Sequence, residues 1–130
     1  MRLYSVAIAA LAIGSSQKWL DNVLSHFTVR DVATEKRGVS RRIPHRALLQ
    51  LALARELHVE LGVGVRDALS LADELLLADG GVVSRGGHLR VTLTRGPLER
   101  EVTGRLQDAL DSAPTPRRGR PARSAQATST

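Results

Sequence analysis

Cysteine is absent from this chain of 130 residues, and only three residues are aromatic. Without cysteine there is no disulfide, thiolate metal site or cysteine nucleophile, as is typical of a cytosolic protein. Tyr4, Trp19 and Phe27 all lie near the N-terminus, so the core must be aliphatic. No apolar run approaches the roughly 18–20 residues of a membrane span. The composition therefore predicts a small soluble protein of one domain with an added tail.

Acidic residues are missing from positions 113–130, and the charge along the chain is uneven. The net charge is +6, with +4 in residues 1–60, −2 in residues 61–112 and +4 in the remainder. Of the 19 basic residues, 17 are arginine, whose guanidinium fork matches phosphate oxygens. This distribution predicts a polyanion contact near the N-terminal half and a basic tail.

Catalytic and metal-binding motifs are also missing. The histidines are scattered without metal-ligand spacing, at His26, His45, His58 and His88. No phosphate-binding glycine motif occurs, and Gly80-Gly81 and Gly86-Gly87 are predicted as turns. The adjacent carboxylates Asp73 and Glu74 do not share a helix face. We therefore expect no enzyme activity, no catalytic residues, no cofactor and no metal.

The N-terminal third predicts two helices joined by a tight turn. Ser5 caps a helix over Val6–Ile13 that Gly14 ends, and Ser15 or Ser16 caps a second helix over Gln17–Phe27. A 3.6-residue stripe of apolar side chains marks the second helix, at Trp19, Leu20, Val23, Leu24 and Phe27. The apolar run before Gly14 also resembles a secretory signal, in an alternative where the protein is secreted and lacks the first helix. We favour a folded helix, because the apolar stripe needs a partner.

The rest of the chain predicts hairpins, helices and a tail. Residues 28–42 predict a short hairpin with a basic tip, and Pro44 opens a leucine-rich third helix ending at Leu61. A fourth helix over Val65–Leu77 is followed by an alternating hairpin over residues 82–93. Pro97 opens a fifth helix with one apolar stripe, formed by Leu98, Val102, Leu106 and Leu110. Residues 113–130 have no apolar period and are predicted to be disordered.

Three segments resemble the MerR-like winged-helix family over residues 4–78. They are VAIAALAIGSSQKWLDNVL from Val6, RGVSRRIP at 37–44 and RDALSLADELL from Arg66. Ala10, Gly14, Leu20 and Val23 have the spacing of inward helix-turn-helix positions. The resemblance implies a second helix that reads DNA and a wing at 35–43 that holds it. The chain departs from the family after residue 78, where a hairpin and one helix replace the long dimerisation helix and effector domain.

The second helix carries the side chains that suit base recognition. Lysine donates hydrogen bonds to guanine, and aspartate accepts one from cytosine. Asparagine and glutamine form paired hydrogen bonds with adenine. The predicted base contacts are Gln17, Lys18, Asp21 and Asn22. The predicted backbone contacts are Ser15, Ser16, Lys36, Arg37, Arg41 and Arg42. The alternative for both groups is an ordinary solvated surface, and Trp19 is either a core residue or a stacking residue at the DNA backbone.

The tail contains a second DNA-binding pattern. Arg118-Gly119-Arg120-Pro121 resembles the R-G-R-P core of an AT-hook, flanked by Arg117 and Arg123. Such a core lies extended in a narrow A·T minor groove, where negative potential is concentrated. The alternative is a solubilising tail whose four-residue match arose by chance. We expect affinity for the DNA backbone in either case.

The sequence therefore predicts a mainly α fold with small β hairpins. Its parts are a MerR-like winged-helix domain at 4–78, a hairpin and amphipathic helix at 79–112, and a disordered basic tail. The expected function is double-stranded DNA binding by a cytoplasmic, nucleoid-associated transcriptional regulator, with excisionase-like and antitoxin variants. In the alternative, helix 97–110 and the apolar hairpin make the protein an adaptor for another protein. The stripe of the fifth helix either packs on the domain or pairs with a second copy.

Overall fold

The computed structural model describes residues 2–32 and 41–112, and this part of the chain is mainly helical. The helices are α1 Val6–Ile13, α2 Gln17–His26, α3 His45–Leu61, α4 Val65–Leu77 and α5 Arg95–Ser112. The strands are β1 Leu3–Tyr4, β2 Ile43–Pro44, β3 Val82–Arg85 and β4 Leu89–Thr92, and a 3-10 turn spans Asp79–Gly81. A mainly α fold with small antiparallel strand pairs is confirmed.

Helix ends follow the signals in the sequence. Ser5 caps α1 by accepting a hydrogen bond from the Ile8 N–H, and Gly14 ends it in the left-handed conformation. Gly62 ends α3 in the same way. Small differences from the predicted bounds occur at four ends: α2 stops before Phe27, α3 starts after Pro44, and α5 spans Arg95–Ser112 where 97–110 was expected. Terminal turns are the least specified part of a helix, so shifts of this size are ordinary.

The core is aliphatic, and α3 lies at its centre. This helix buries most of its length against α1, α4 and α5. Its buried leucines are Leu48, Leu49, Leu51, Leu53 and Leu57. Leu61 continues the leucine repeat of α3 but is 72 % exposed, because it lies at the last position of the helix, beyond the covering elements. The core therefore ends about one turn before α3 does.

Ile43 and Pro44 pair with the N-terminus. β2 runs antiparallel to β1, with Leu3 opposite Pro44 and Tyr4 opposite Ile43. The sequence analysis did not predict this pairing, because a two-residue strand containing proline has no periodicity to reveal its partner. Most of the hairpin predicted over residues 28–42, including its basic tip, lies outside the described residues. The second predicted hairpin is confirmed, since β3 and β4 pair in register across Gly86-Gly87.

The apolar stripe of α5 packs back onto the same chain. Leu98, Val102 and Leu106 are buried with α1 and α3 in one core, and Leu110 is half-buried against it. Ala109 is buried as well. The boundary drawn at residue 78 therefore separates segments that share a core. A second copy is not needed to cover this stripe, and pairing of two copies through it stays a prediction. Within the described residues, no helix has the length and hydrophobicity to cross a membrane.

Candidate nucleic-acid interface

Two distinct faces run along α2. Its inner face consists of Leu20, Val23 and Leu24, all buried, as the 3.6-residue period requires. We define the outer face of α2 as Gln17, Lys18, Asp21, Asn22 and Ser25. Asp21 is half-buried and the other four side chains are exposed. The fold therefore brings the four predicted base-contacting residues together on one polar surface.

A tight turn holds α2 against α1. Gly14 has φ +77°, and its N–H points to the carbonyls of Ala10 and Leu11. The Ser15 N–H donates to the Ala10 carbonyl at 2.9 Å. Ala10, Leu20 and Val23 are all buried, as expected for inward positions of such a helix pair. This packing fixes the direction in which the outer face of α2 points.

The two serines before α2 have different hydrogen-bonding roles. Ser16 is the N-cap, and its Oγ accepts from the Trp19 N–H at 3.0 Å. Its hydroxyl proton can therefore still be donated to a phosphate oxygen. The Ser15 Oγ donates its proton to the Ser16 carbonyl at 3.0 Å. Of the two predicted phosphate contacts, Ser16 thus suits the role better than Ser15.

Trp19 contributes mainly to packing. Its ring is half-buried against the core, and the Arg55 guanidinium of α3 lies over it, 5.8 Å from the ring centroid. A cation over an indole face is attractive by roughly 0.5–1 kcal/mol at an exposed site. Arg55 therefore covers a face that stacking at the DNA backbone would require.

Part of the basic segment before β2 lies beside α2. Arg41 lines a cavity of about 180 Å³ together with Ser25 and His26. Arg42 is exposed at the following position. The other predicted DNA contacts lie outside the described residues: Lys36, Arg37, Arg118, Gly119, Arg120 and Pro121. The structure thus places Arg41 next to the C-terminal turn of α2.

An ion-pair network that the sequence analysis missed lies behind the loop after α2. We name it the Asp73 network, formed by Arg30, Arg46, Gln50 and Asp73. Arg30 donates two hydrogen bonds to the Asp73 carboxylate at 3.0 and 2.9 Å, and Arg46 donates a third at 2.7 Å. Arg46 also donates to Gln50 Oε1, and the buried Gln50 amide donates to the Leu69 carbonyl. These bonds join the loop after α2 to α3 and α4.

Electrostatics in this network stabilise the ionised carboxylate. Hydrogen bonding from Arg30, with a smaller contribution from Arg46, lowers the pKa of Asp73 although partial burial acts in the opposite direction. In the sequence, Arg46 is 27 positions from Asp73 and Arg30 is 43 positions from it. No local pattern signals pairs that distant, which is why sequence reasoning treated Asp73 only as a neighbour of Glu74.

A polar cavity of about 570 Å³ opens next to this network. His26, Arg30 and Arg66 line it, with Asp73 on its wall. The His26 ring donates from Nδ1 to the Asn22 carbonyl, and Arg66 lies over the Phe27 ring at 5.4 Å. Cationic groups therefore continue from the C-terminal end of α2 toward α4. Across residues 2–32 and 41–112, no three or more His, Asp or Glu side chains are grouped to hold a metal ion.

Comparisons with known proteins identify no relative of this chain. The chain matches no model of a protein family, no curated protein and no solved structure.

Proposed function

We propose that this protein binds double-stranded DNA through α2, which enters the major groove. The observation that carries the proposal is the outer face of α2, where four polar residues of base-contacting type lie together on the second helix of a tightly turned pair. Helix pairs of this kind present the N-terminal part of the second helix to base edges. The N-cap Ser16 and the dipole of α2 favour an adjacent phosphate.

In this proposal each residue has a separate role. Lys18 donates to guanine O6 and N7, Gln17 and Asn22 pair with adenine, and Asp21 accepts from cytosine N4. Base edges supply the specificity. The position of the protein on the duplex depends on phosphate contacts.

The proposed phosphate contacts come from the basic segments. Arg41 and Arg42 hold the backbone beside α2, together with Lys36 and Arg37 of the proposed wing. The tail motif at 118–121 adds affinity in an A·T minor groove. A winged helix of the MerR-like type is the architecture that we propose for this arrangement, with a transcriptional regulator acting at the nucleoid in the cytoplasm as its function. Excisionase-like and antitoxin proteins are variants of the same binding mode.

The alternative hypothesis, an adaptor that binds another protein through helix 97–110 and the apolar hairpin, has to be restated for this fold. Its helix 97–110 keeps Leu98, Val102 and Leu106 inside the core, so that stripe offers no apolar face to a partner. Leu89 of the hairpin is exposed, while Val91 and Leu93 are half-buried. A protein partner would therefore contact this helix and hairpin elsewhere than along the length of the buried stripe.

Fluorescence anisotropy on a mixed-sequence duplex, with a salt titration, tests the proposal. We expect affinity that falls steeply as salt rises, because phosphate neutralisation releases counterions. The Arg41→Ala/Arg42→Ala variant should reduce the slope of log affinity against log salt by about two. Arg90→Ala/Arg100→Ala removes the same charge from the hairpin and α5 and should leave the slope almost unchanged. Absence of binding at about 50 mM salt would contradict the proposal.

Sequence recognition needs a second experiment on a site selected from random duplexes. Lys18→Ala/Asn22→Ala should weaken binding to the selected site by about tenfold or more, because each base contact contributes ~1–3 kcal/mol. Arg90→Ala/Gln107→Ala also removes one basic and one amide side chain, but outside α2, and serves as the control. If the two double variants weaken binding equally, α2 does not read the bases.

A further inference from the structure

An apolar groove with an acidic rim lies between α3, α5 and β4. Its floor includes the buried side chains of Leu57, Leu75 and Leu98, and its volume is about 430 Å³. A second cavity of about 460 Å³ adjoins it and shares the Leu98 wall. Ligand-binding clefts in proteins have volumes of roughly 300–1,000 Å³. The two cavities have four lining residues in common, Glu56, Glu60, Leu98 and Glu101, and we name them together the acidic groove.

Three carboxylates line both cavities, Glu56, Glu60 and Glu101, and the first cavity has no basic residue in its lining. Arg55 and Arg105 line the second cavity, where Arg55 lies over the Trp19 ring. Glu101 is paired with Arg105 on its own helix at 2.6 Å. Glu56 and Glu60 are exposed and have no ion pair within the described residues. They lie four positions apart on α3, where two like charges destabilise a helix. A cation placed between them would remove this repulsion.

The groove also has an exposed apolar end. Leu61 lines the first cavity and is the most exposed large apolar side chain of the described residues, at 72 %. Val59 lines the second cavity and is also exposed. Apolar side chains that border a groove and remain in solvent are typical of a surface that a partner covers.

We propose that the acidic groove binds an amphipathic segment of another protein, with apolar side chains on the floor and lysine or arginine against Glu56 and Glu60. A second copy of this chain fits worse, since a two-fold contact would set acidic rim against acidic rim. The basic tail at 113–130 has the right charge, but its only apolar residues are alanine and proline. The proposal is independent of DNA binding, because the groove shares no residue with the outer face of α2.

Fluorescein-labelled peptides of about 15 residues provide the test, a length at which helices become stable. The first peptide carries leucine at i, i+3, i+4 and i+7 with lysine and arginine elsewhere. The second replaces every basic residue by glutamate, and the third replaces every leucine by serine. We expect the full chain to bind only the first. The net charge of +6 disfavours a cationic peptide elsewhere on the protein, so binding of the first peptide requires a local acidic surface.

Variants of the full chain locate the site. Glu56→Gln/Glu60→Gln should weaken binding of the first peptide about tenfold at low salt, and Leu61→Ser should do so by a similar factor. Asp67→Asn/Asp108→Asn and Leu77→Ser make the same changes outside the groove and should alter the affinity by no more than about twofold. Amide resonances of Leu61 and Val91 should shift when the peptide is added.

Three results would overturn the proposal. The first is no binding of the basic peptide at about 1 mM. The second is an equal loss of affinity in the groove variants and their controls. The third is a large gain of peptide affinity when the four tail arginines are replaced by glutamine, which would identify the tail as the occupant. Those arginines are Arg117, Arg118, Arg120 and Arg123.

Discussion

Replacing Asp73 with asparagine should lower the free energy of unfolding by about 2 kcal/mol at neutral pH. The carboxylate accepts from Arg30, whose side chain is 50 % exposed, and from Arg46, whose side chain is 25 % exposed. An exposed pair contributes roughly 0.2–1 kcal/mol. A hydrogen bond to a charged group contributes about 1.5–3 kcal/mol when it is shielded from solvent. The less exposed Arg46 contact and the two hydrogen bonds from Arg30 together give the expected loss. Asparagine keeps the size of the side chain and removes its charge.

The loss should depend on pH in a defined direction. Because the folded protein lowers the pKa of Asp73, ionisation of this group stabilises the fold. The contribution is complete above the unfolded carboxyl pKa of about 3.9 and disappears as the pH falls through the lower folded pKa. The difference between wild type and Asp73→Asn should therefore be largest near pH 7 and shrink steadily below about pH 4.

Urea unfolding followed by circular dichroism, at pH 7 and again near pH 3, measures both quantities. Glu74→Gln is the matched control, since the adjacent carboxylate pairs with Arg85 while both side chains are nearly half exposed. We expect the control to lose at most about 1 kcal/mol. A loss in Asp73→Asn no greater than in the control, or a loss that does not change with acidification, would refute this account of the Asp73 network.

Thermal and urea unfolding of four further variants test the turn at Gly14 and the packing of α5. Gly14→Ala should lower the free energy of unfolding by about 1–2 kcal/mol, because φ is +77°; the new Cβ meets only the flexible end of Arg105 at 3.1 Å. Gly104→Ala, inside α5 with open space around it, should instead stabilise by about 0.5–1 kcal/mol, and a loss there would contradict the propensity reasoning. Val102→Ala should cost about 2 kcal/mol, because its side chain is fully buried. The exposed Thr103→Ala is the control, and equal effects would show that α5 does not pack as described.

Local signals in the sequence predicted most of the helices. Ser5, Gly14, Ser16 and Gly62 act through hydrogen bonds or backbone angles within a few residues, so their effects are visible in the sequence itself. The hairpin across Gly86-Gly87 was predicted for the same reason. The outer face of α2 followed from helical periodicity alone.

Contacts between distant segments could not be predicted in this way. The pairing of Leu3 with Pro44 and the Arg30–Asp73 ion pair depend on how the helices are arranged in space. The exposure of Leu61 depends on where its neighbours end, which the repeat of leucines along α3 does not encode. The acidic groove was missed for a similar reason, since its lining comes from four separate elements, α3, α4, β4 and α5.

The packing of α5 on α1 has a consequence for how the chain folds during synthesis. The two helices are the first and the last of the described residues, and α1 buries Ala9, Ala12 and Ile13 in the core that α5 completes. The ribosome makes about 5–20 residues per second, so several seconds pass between the synthesis of α1 and that of α5. Until α5 is made, part of the apolar surface of α1 faces water. The α1–α2 pair, which carries the outer face of α2, then lacks its packing against α5. Final stabilisation of the proposed DNA-reading helix is therefore one of the last events in the production of this protein.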